Sequence, residues 1–199
     1  MNHLAHLFLA GRSAESLIGN LAGDFVKGPL HPGRFPDAIA AGIAQHRRID
    51  SFTDAHPATA AFRRVLVPEH GHWARVIADV FFDHFLALSF DEYAGESLES
   101  FLGATFAAID PHADALPGAL RFVYPRMRDE GWLLSYREVD GIAGALRGIS
   151  YRIARRPRLE LAARHLVESR VELQRRFREF FPEVLAFARS QVAAVTIPP

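Results

Sequence analysis

The chain has 199 residues, of which 49% are hydrophobic, which is enough for one domain with a sizeable core. It has no Cys, so disulfides, thiolate metal sites and a cysteine nucleophile are excluded. Its formal net charge is zero, and no segment has the ~18 successive apolar residues of a membrane span, so we expect neither nucleic-acid binding nor a membrane protein. The opening, MNHLAHLFLA, lacks the features of a signal peptide and predicts a cytoplasmic protein.

Apolar residues recur with helical spacing along most of the chain, and Pro and Gly divide it into segments. We predict helices over residues 13–26, 36–51, 57–67, 71–90, 96–109, 117–130, 132–156, 158–181 and 182–195. The seventh has a soft point at Gly141, Gly144 and Gly148, and Pro182 is expected to begin the last. Residues 194–199 are predicted to fray. The sequence therefore predicts an all-α, single-domain helical bundle over residues 1–199.

Acidic side chains lie on helices that are too apolar to be plain surface. Asp83 stands among Phe81, Phe82 and Phe85, where an unpaired carboxylate would cost several kcal/mol. His46 and Asp50 are four residues apart and therefore share a helix face. A divalent cation would satisfy four of these groups together, and oxygen and imidazole ligands suit Mn²⁺, Fe²⁺ or Mg²⁺. The four candidate ligands are Asp24, His46, Asp50 and Asp83.

Each of these patterns also has a simpler explanation. A His and an Asp four residues apart, such as His46 and Asp50, commonly form a surface pair on a helix. Asp54 is placed to cap the helix that follows. His3 and His6 lie on a mostly apolar stretch, where a histidine packed in the core or at its rim is the simpler interpretation of either one alone. The spacing by itself supports only a metal-site hypothesis.

Charge is distributed unevenly along the chain. No Lys or Arg occurs between Arg75 and Arg121, whereas residues 147–178 contain ten Arg against three acids. This asymmetry fits a basic surface that receives an acidic partner, or a solvated helix surface with local ion pairs. The richest cluster consists of Arg152, Arg155, Arg156 and Arg158.

Four segments together resemble the acyl carrier protein phosphodiesterases: MNHLAHL, GNLAGDFVKG, HRRIDSFTDAHP and DHFLA, at residues 1–7, 19–28, 46–57 and 83–87. The resemblance implies an all-α fold related to the HD-type metal-dependent phosphohydrolases. It also implies hydrolysis of the phosphodiester between 4′-phosphopantetheine and a serine of holo-acyl carrier protein, with Mn²⁺ or a similar ion. No His-Asp dipeptide occurs, only the reversed Asp83-His84. The matched positions are Asp24, His46, Asp50 and Asp83, with His6, Asn20, Arg47, Asp54 and His84 as second choices.

The resemblance assigns roles that the residue types can fill. Arg47 or Arg48 is expected to hold the phosphate oxygens, and His84 or a second carboxylate to act as base or to protonate the departing serine oxygen. The basic cluster is expected to dock the acidic carrier. Two alternatives stay open: a phosphohydrolase of a nucleotide or another small phosphoester, which would use the same cluster, and a non-catalytic helical partner-binding protein, which would have no use for buried acids.

Overall fold

The computed structural model describes the backbone of residues 1–196 and the side chains of residues 1–114 and 116–191. Within these residues the regular structure is helical and no strand occurs, which confirms the all-α class. The α-helices are α1 (His3–Leu9), α2 (Ala14–Ala22), α3 (Asp37–Ala55), α4 (Pro57–His70), α5 (Ala74–Leu88), α6 (Phe90–Ala94), α7 (Leu98–Ile109), α8 (Leu120–Asp129), α9 (Trp132–Ser135), α10 (Val139–Tyr151), α11 (His165–Glu168) and α12 (Arg170–Thr196). Short 3₁₀ helices are Gly23–Phe25, Gly71–Trp73, Asp110–Ala115 and Leu159–Arg164.

The predicted frayed tail, residues 194–199, lies largely outside the described residues. The structure gives the backbone of α12 as far as Thr196 but no side chain beyond residue 191. Fraying of this tail therefore stays a prediction.

Several helices begin where the sequence supplies a cap. The Ser13 hydroxyl accepts a hydrogen bond from the amide of Ser16 at 3.2 Å and starts α2, as predicted. Helix α4 is capped by His56, whose Nδ1 accepts from the amide of Ala58 at 3.1 Å. The cap predicted from Asp54 is therefore wrong, because an imidazole two residues closer to the helix takes that position.

The break predicted at the glycines of residues 132–156 is wrong in position. The chain leaves the helix after Ser135 and resumes at Val139, before the first of these glycines. A Cβ at Gly141 would lie 2.0 Å from the carbonyl oxygen of Ser135, so this glycine permits the chain to double back closely. All three glycines are inside α10.

Proline 182 does not begin a new helix, because α12 runs through it. The missing amide of Pro182 removes one helical hydrogen bond, but Phe180, Phe181 and Val184 on both sides are fully buried and hold the helix in place. The helix predicted over residues 158–181 is instead divided. Ser169, with φ of −117°, separates α11 from α12.

Aromatic side chains fix α5 against α12. The rings of Phe82 and Phe180 lie 5.3 Å apart, and those of Phe85 and Phe177 lie 5.8 Å apart, with all four fully buried. Burying each ring contributes about 1.5–3 kcal/mol. These contacts belong to one hydrophobic core that runs from Met1 to Ala188. Helix α1 packs on α5, so the rigid core positions the N-terminal residues.

Helices α2 and α3 approach each other closely at two glycines. A Cβ at Gly19 would lie 2.5 Å from the carbonyl oxygen of Ile39 and 2.7 Å from the Cα of Gly42. Both are backbone atoms, which cannot move aside without shifting a helix. Because neither glycine has a side chain, α2 and α3 can pack closely. Their close packing brings the 3₁₀ helix that follows α2 next to His46 of α3.

We expect Gly19→Ala to lower the free energy of unfolding by about 1–3 kcal/mol, because the added methyl overpacks the contact between α2 and α3. Urea unfolding followed by circular dichroism measures the change. Gly103→Ala is the matched control, since Gly103 is inside α7 and an added Cβ there meets no atom within 4 Å. Equal stability of the Gly19→Ala protein and the wild type would contradict the close approach.

Candidate metal site

Two imidazoles and a carboxylate meet where α1 lies beside α3. The Nε2 atom of His6 is 3.1 Å from Oδ1 of Asp50, and the Nε2 atom of His46 is 3.2 Å from Oδ2 of the same carboxylate. The two imidazole rings stack with centroids 3.6 Å apart. One potential ligand atom from each of the three residues lies within 4.8 Å of the other two. We call this group the His6–His46–Asp50 triad.

The orientation of His46 is set by α2. The Nδ1–H of His46 donates to the backbone carbonyl of Asn20 at 2.8 Å, which leaves Nε2 directed at the carboxylates. The Asn20 side chain donates to Oε1 of Gln45 at 2.9 Å and so ties α2 to α3 beside the site. Asn20, a second-choice residue in the sequence, therefore supports the triad through its backbone and through packing.

Asp24 stands at the edge of the triad, on the 3₁₀ helix after α2. Its Oδ1 is 3.6 Å from Nε2 of His46, and its Oδ2 is 3.6 Å from Nδ1 of His3. Burial opposes ionisation of His46, but the carboxylates of Asp24 and Asp50 outweigh it and raise its pKa to about 9. The concentration of negative charge therefore attracts a cation to this point.

The two carboxylates are themselves held in the charged form. Burial favours the neutral acids, but the nearby His46 imidazole and the surrounding positive charge outweigh burial and keep the pKa of both Asp24 and Asp50 well below the usual range. The amino group of Met1 lies 3.2 Å from Oδ1 of Asp50 and 3.1 Å from Oδ1 of Asp79. Ionised carboxylates are the form that binds a divalent ion.

Gly23 has a role that the sequence did not indicate. A Cβ at Gly23 would lie 2.2–2.5 Å from ring atoms of His46, so the imidazole packs directly on the glycine backbone. This contact explains how the ring can lie close to the 3₁₀ helix that carries Asp24. The pattern GNLAGDF contains the glycine, but only the packing of α3 against α2 gives it a function.

The donor set of the triad fits a divalent metal. Two imidazoles with one carboxylate are a common ligand set for Mn²⁺, Fe²⁺ and Zn²⁺, and Asp24 adds a further oxygen. His6 is fully buried, and its Nδ1 has no hydrogen-bond partner among the described residues. His6 was a second choice in the sequence, because a lone histidine on an apolar helix is usually a core residue. The structure brings it into the group.

Asp83 lies in another environment. Its Oδ2 accepts from the amide of Leu4 at 2.8 Å and its Oδ1 from the amide of Ala5 at 3.1 Å, so the carboxylate caps the N-terminus of α1 from α5. Burial raises the pKa of Asp83 to about 7, although these hydrogen bonds oppose the rise. The structure therefore does not place Asp83 in the triad, and the need for a partner is met by backbone amides. Its ligand role stays a prediction.

We expect Asp83→Ala to increase hydrogen exchange of the α1 amides by at least about tenfold in the metal-free protein. Two hydrogen bonds to a charged acceptor are lost, each contributing about 1.5–3 kcal/mol. Asp91→Ala, an exposed acid at the start of α6, is the control and should leave α1 unchanged. Unchanged protection of α1 in Asp83→Ala would contradict the capping role.

Other predicted residues also have partners outside the triad. Arg47 donates to the backbone carbonyl of Val26 at 2.8 Å, and the Nδ1 atom of the buried His84 is 2.7 Å from the backbone carbonyl of Tyr136. Asp54, one turn beyond Asp50, pairs with Arg63 at 2.6 Å and with Arg75. These side chains hold neighbouring segments together. The catalytic roles predicted for Arg47 and His84 stay predictions.

The arginine cluster lies between α10 and the 3₁₀ helix Leu159–Arg164. We call its four exposed side chains the basic surface: Arg152, Arg155, Arg156 and Arg158. Burial lowers the pKa of His3, and the positive charge of Arg152 acts in the same direction, so Arg152 lies near the edge of the candidate site. None of the described helices combines the length and the apolar composition needed to cross a membrane.

Comparison with known proteins gives a consistent result along the whole chain. Residues 1–184 match the family described as acyl carrier protein phosphodiesterase. A protein of that name from Serratia proteamaculans is 35% identical over 96% of this chain and 99% of its own length. Proteins of the same name from Photorhabdus laumondii and Yersinia pestis are 31% and 34% identical, over 96% and 95% of this chain and 96% and 98% of their own lengths. No solved structure matches, so the predicted relation to HD-type folds stays a prediction.

Proposed function

Because the chain belongs to the acyl carrier protein phosphodiesterase family, we propose that it hydrolyses the phosphodiester linking 4′-phosphopantetheine to the serine of holo-acyl carrier protein. The products are apo-carrier protein and free 4′-phosphopantetheine. The observation that carries the proposal is the His6–His46–Asp50 triad, a metal-ligand group inside the segment that matches the family. A phosphodiesterase without a cysteine nucleophile needs another nucleophile, and a metal ion held by the triad would activate a water molecule for that purpose.

We propose that the reaction requires a divalent ion, with Mn²⁺ the first candidate and Mg²⁺ or Fe²⁺ the next. The triad and Asp24 would hold the ion, since they offer two imidazole nitrogens and carboxylate oxygens at one point. When bound, such an ion polarises a phosphoryl oxygen and makes water a better nucleophile near neutral pH. Mixed nitrogen and oxygen ligands favour Mn²⁺ or Fe²⁺ over the all-oxygen sites that suit Mg²⁺.

The surrounding side chains bind and orient the substrate. We infer that Arg152, whose positive charge acts on His3, neutralises a non-bridging oxygen of the phosphodiester, as a guanidinium does well. Asp24 is the most exposed acid of the site, with 42% of its side chain accessible, so it is the acid that a substrate can reach most readily.

The carrier protein is proposed to dock on the basic surface. Among the ten arginines of residues 147–178, four have partners on other turns or helices: Arg164 with Glu69, Arg175 and Arg176 with Glu172, and Arg178 with Glu92. Arg158 has only Glu160 at 3.5 Å. Five have no ion-pair partner among the described residues, and three of these belong to the basic surface: Arg147, Arg152, Arg155, Arg156 and Arg170. Unpaired, exposed arginines fit an acidic partner.

Intact-mass spectrometry of holo-acyl carrier protein tests the proposed reaction. The purified protein with Mn²⁺ should remove the mass of 4′-phosphopantetheine from the carrier, and a chelator should stop the reaction. Carrier protein of unchanged mass after incubation with equimolar protein and Mn²⁺ would overturn the proposal. Hydrolysis of nucleotides under the same conditions would instead favour a small-phosphoester hydrolase, and binding of the carrier without reaction a non-catalytic partner.

A further inference from the structure

Helix α1 directs two histidines at the candidate site. His3 and His6 are three residues apart and therefore lie on the same face of α1. His6 contacts Asp50 of the triad, whereas His3 faces Asp24, with Nδ1 3.6 Å from Oδ2. His3 is only 8% exposed, and its ring stacks on Phe25 with the centroids 5.9 Å apart. The imidazole is therefore held in place beside the carboxylate.

Asp24 needs such a neighbour to keep a defined orientation. Its side chain is 42% accessible and makes no hydrogen bond within the usual distance among the described residues, unlike Asp50, which contacts His6 and His46. The two Asp24 oxygens have different neighbours: Oδ1 faces His46 and Oδ2 faces His3. A movement of about 0.6 Å would bring Nδ1 of His3 within hydrogen-bond distance of Oδ2.

We propose that His3 is a positioning residue, whose Nδ1–H donates to Oδ2 of Asp24 and so directs Oδ1 toward the metal held by the triad. The inference rests on the metal dependence proposed above. Carboxylates that bind metals are commonly oriented by a hydrogen bond to the free oxygen, and loss of such a partner weakens metal binding by about 10- to 100-fold.

Binding of Mn²⁺ alone, measured from the electron paramagnetic resonance signal of the free ion, tests this role without an activity assay. His3→Phe keeps a ring that can stack on Phe25 but removes the donor, and it should weaken Mn²⁺ binding by about 10- to 100-fold. His3→Asn places an amide NH₂ near the position of Nδ1, and it should bind Mn²⁺ within about threefold of the wild type. His112→Phe, on the exposed 3₁₀ helix Asp110–Ala115, is the control.

A double-mutant cycle separates positioning through Asp24 from a general effect on the fold. In an Asp24→Ala background, His3→Phe should change Mn²⁺ affinity by less than about twofold, because the carboxylate that it orients is absent. Wild-type affinity of His3→Phe, or equally weak binding by His3→Asn, would overturn the inference and leave the proposed reaction untouched. A wild-type protein that binds no Mn²⁺ would overturn the metal dependence and this inference together.

Discussion

Asp50→Asn should abolish Mn²⁺ binding and lower kcat/KM for holo-acyl carrier protein by at least about a thousandfold, equivalent to ~4 kcal/mol. Asp50 is the centre of the triad, since its two oxygens contact Nε2 of His6 and Nε2 of His46 at 3.1 and 3.2 Å. Replacing one oxygen by an amide removes the negative charge and puts a donor where the metal needs an acceptor. Isothermal titration with Mn²⁺ and steady-state kinetics measure the two effects.

Asp54→Asn is the matched control for this exchange. Asp54 lies one turn further along α3 and undergoes the same chemical change, but its carboxylate pairs with Arg63 and Arg75 rather than with the triad. We expect it to bind Mn²⁺ as the wild type does. If Asp50→Asn keeps metal binding and activity, the triad is not the metal site.

Replacing Arg152, Arg155 and Arg156 together by Glu should lower kcat/KM for holo-carrier protein by more than about tenfold at low salt. These side chains are exposed and have no internal ion-pair partner among the described residues, so their charge is available to an acidic protein. The wild-type rate should also fall as salt is raised, because screening shortens the electrostatic range to ~8 Å at physiological ionic strength. Initial rates at several salt concentrations give both results.

Two controls test whether the lower kcat/KM is caused by weaker docking of the carrier protein. A triple exchange of Arg64, Arg121 and Arg189 to Glu makes the same change in net charge at exposed positions elsewhere, and it should leave carrier hydrolysis within about threefold of the wild type. The Arg155→Glu and Arg156→Glu double variant, which spares Arg152 at the edge of the site, should still hydrolyse bis(p-nitrophenyl) phosphate normally. Normal processing of carrier protein by the triple variant of the basic surface would contradict docking there.

The helical class could be predicted because each helix carries its own apolar period and its own boundary residues. Ser13 begins α2 and Pro57 begins α4, as their side chains indicate. The local rules failed where tertiary packing outweighs them. Pro182 removes one hydrogen bond from α12, but burial of Phe180 and Phe181 compensates for the loss. Whether these two side chains are buried depends on the packing of distant helices, which the sequence around Pro182 does not show.

Helical spacing alone predicted only the part of the site that lies on one helix. His46 and Asp50 are four apart on α3, and the structure places both in the triad. His6 precedes His46 by forty residues and lies on α1. Its contact with Asp50 depends on how α1 packs on α2 and α5, which spacing does not give. Asp83 shows the converse. The sequence correctly indicated that a buried acid needs a partner. Backbone amides of α1 fill that role, and they satisfy the carboxylate without a metal.

A crystal structure of the protein soaked in Mn²⁺, with an anomalous difference map, is the most direct test of the account. We predict a manganese peak about 2.0–2.3 Å from the nearest nitrogen of His6, from Nε2 of His46 and from an oxygen of Asp50. A peak bound at other residues, or no peak near these three in crystals of protein that hydrolyses holo-acyl carrier protein, would contradict the triad as the centre of the reaction.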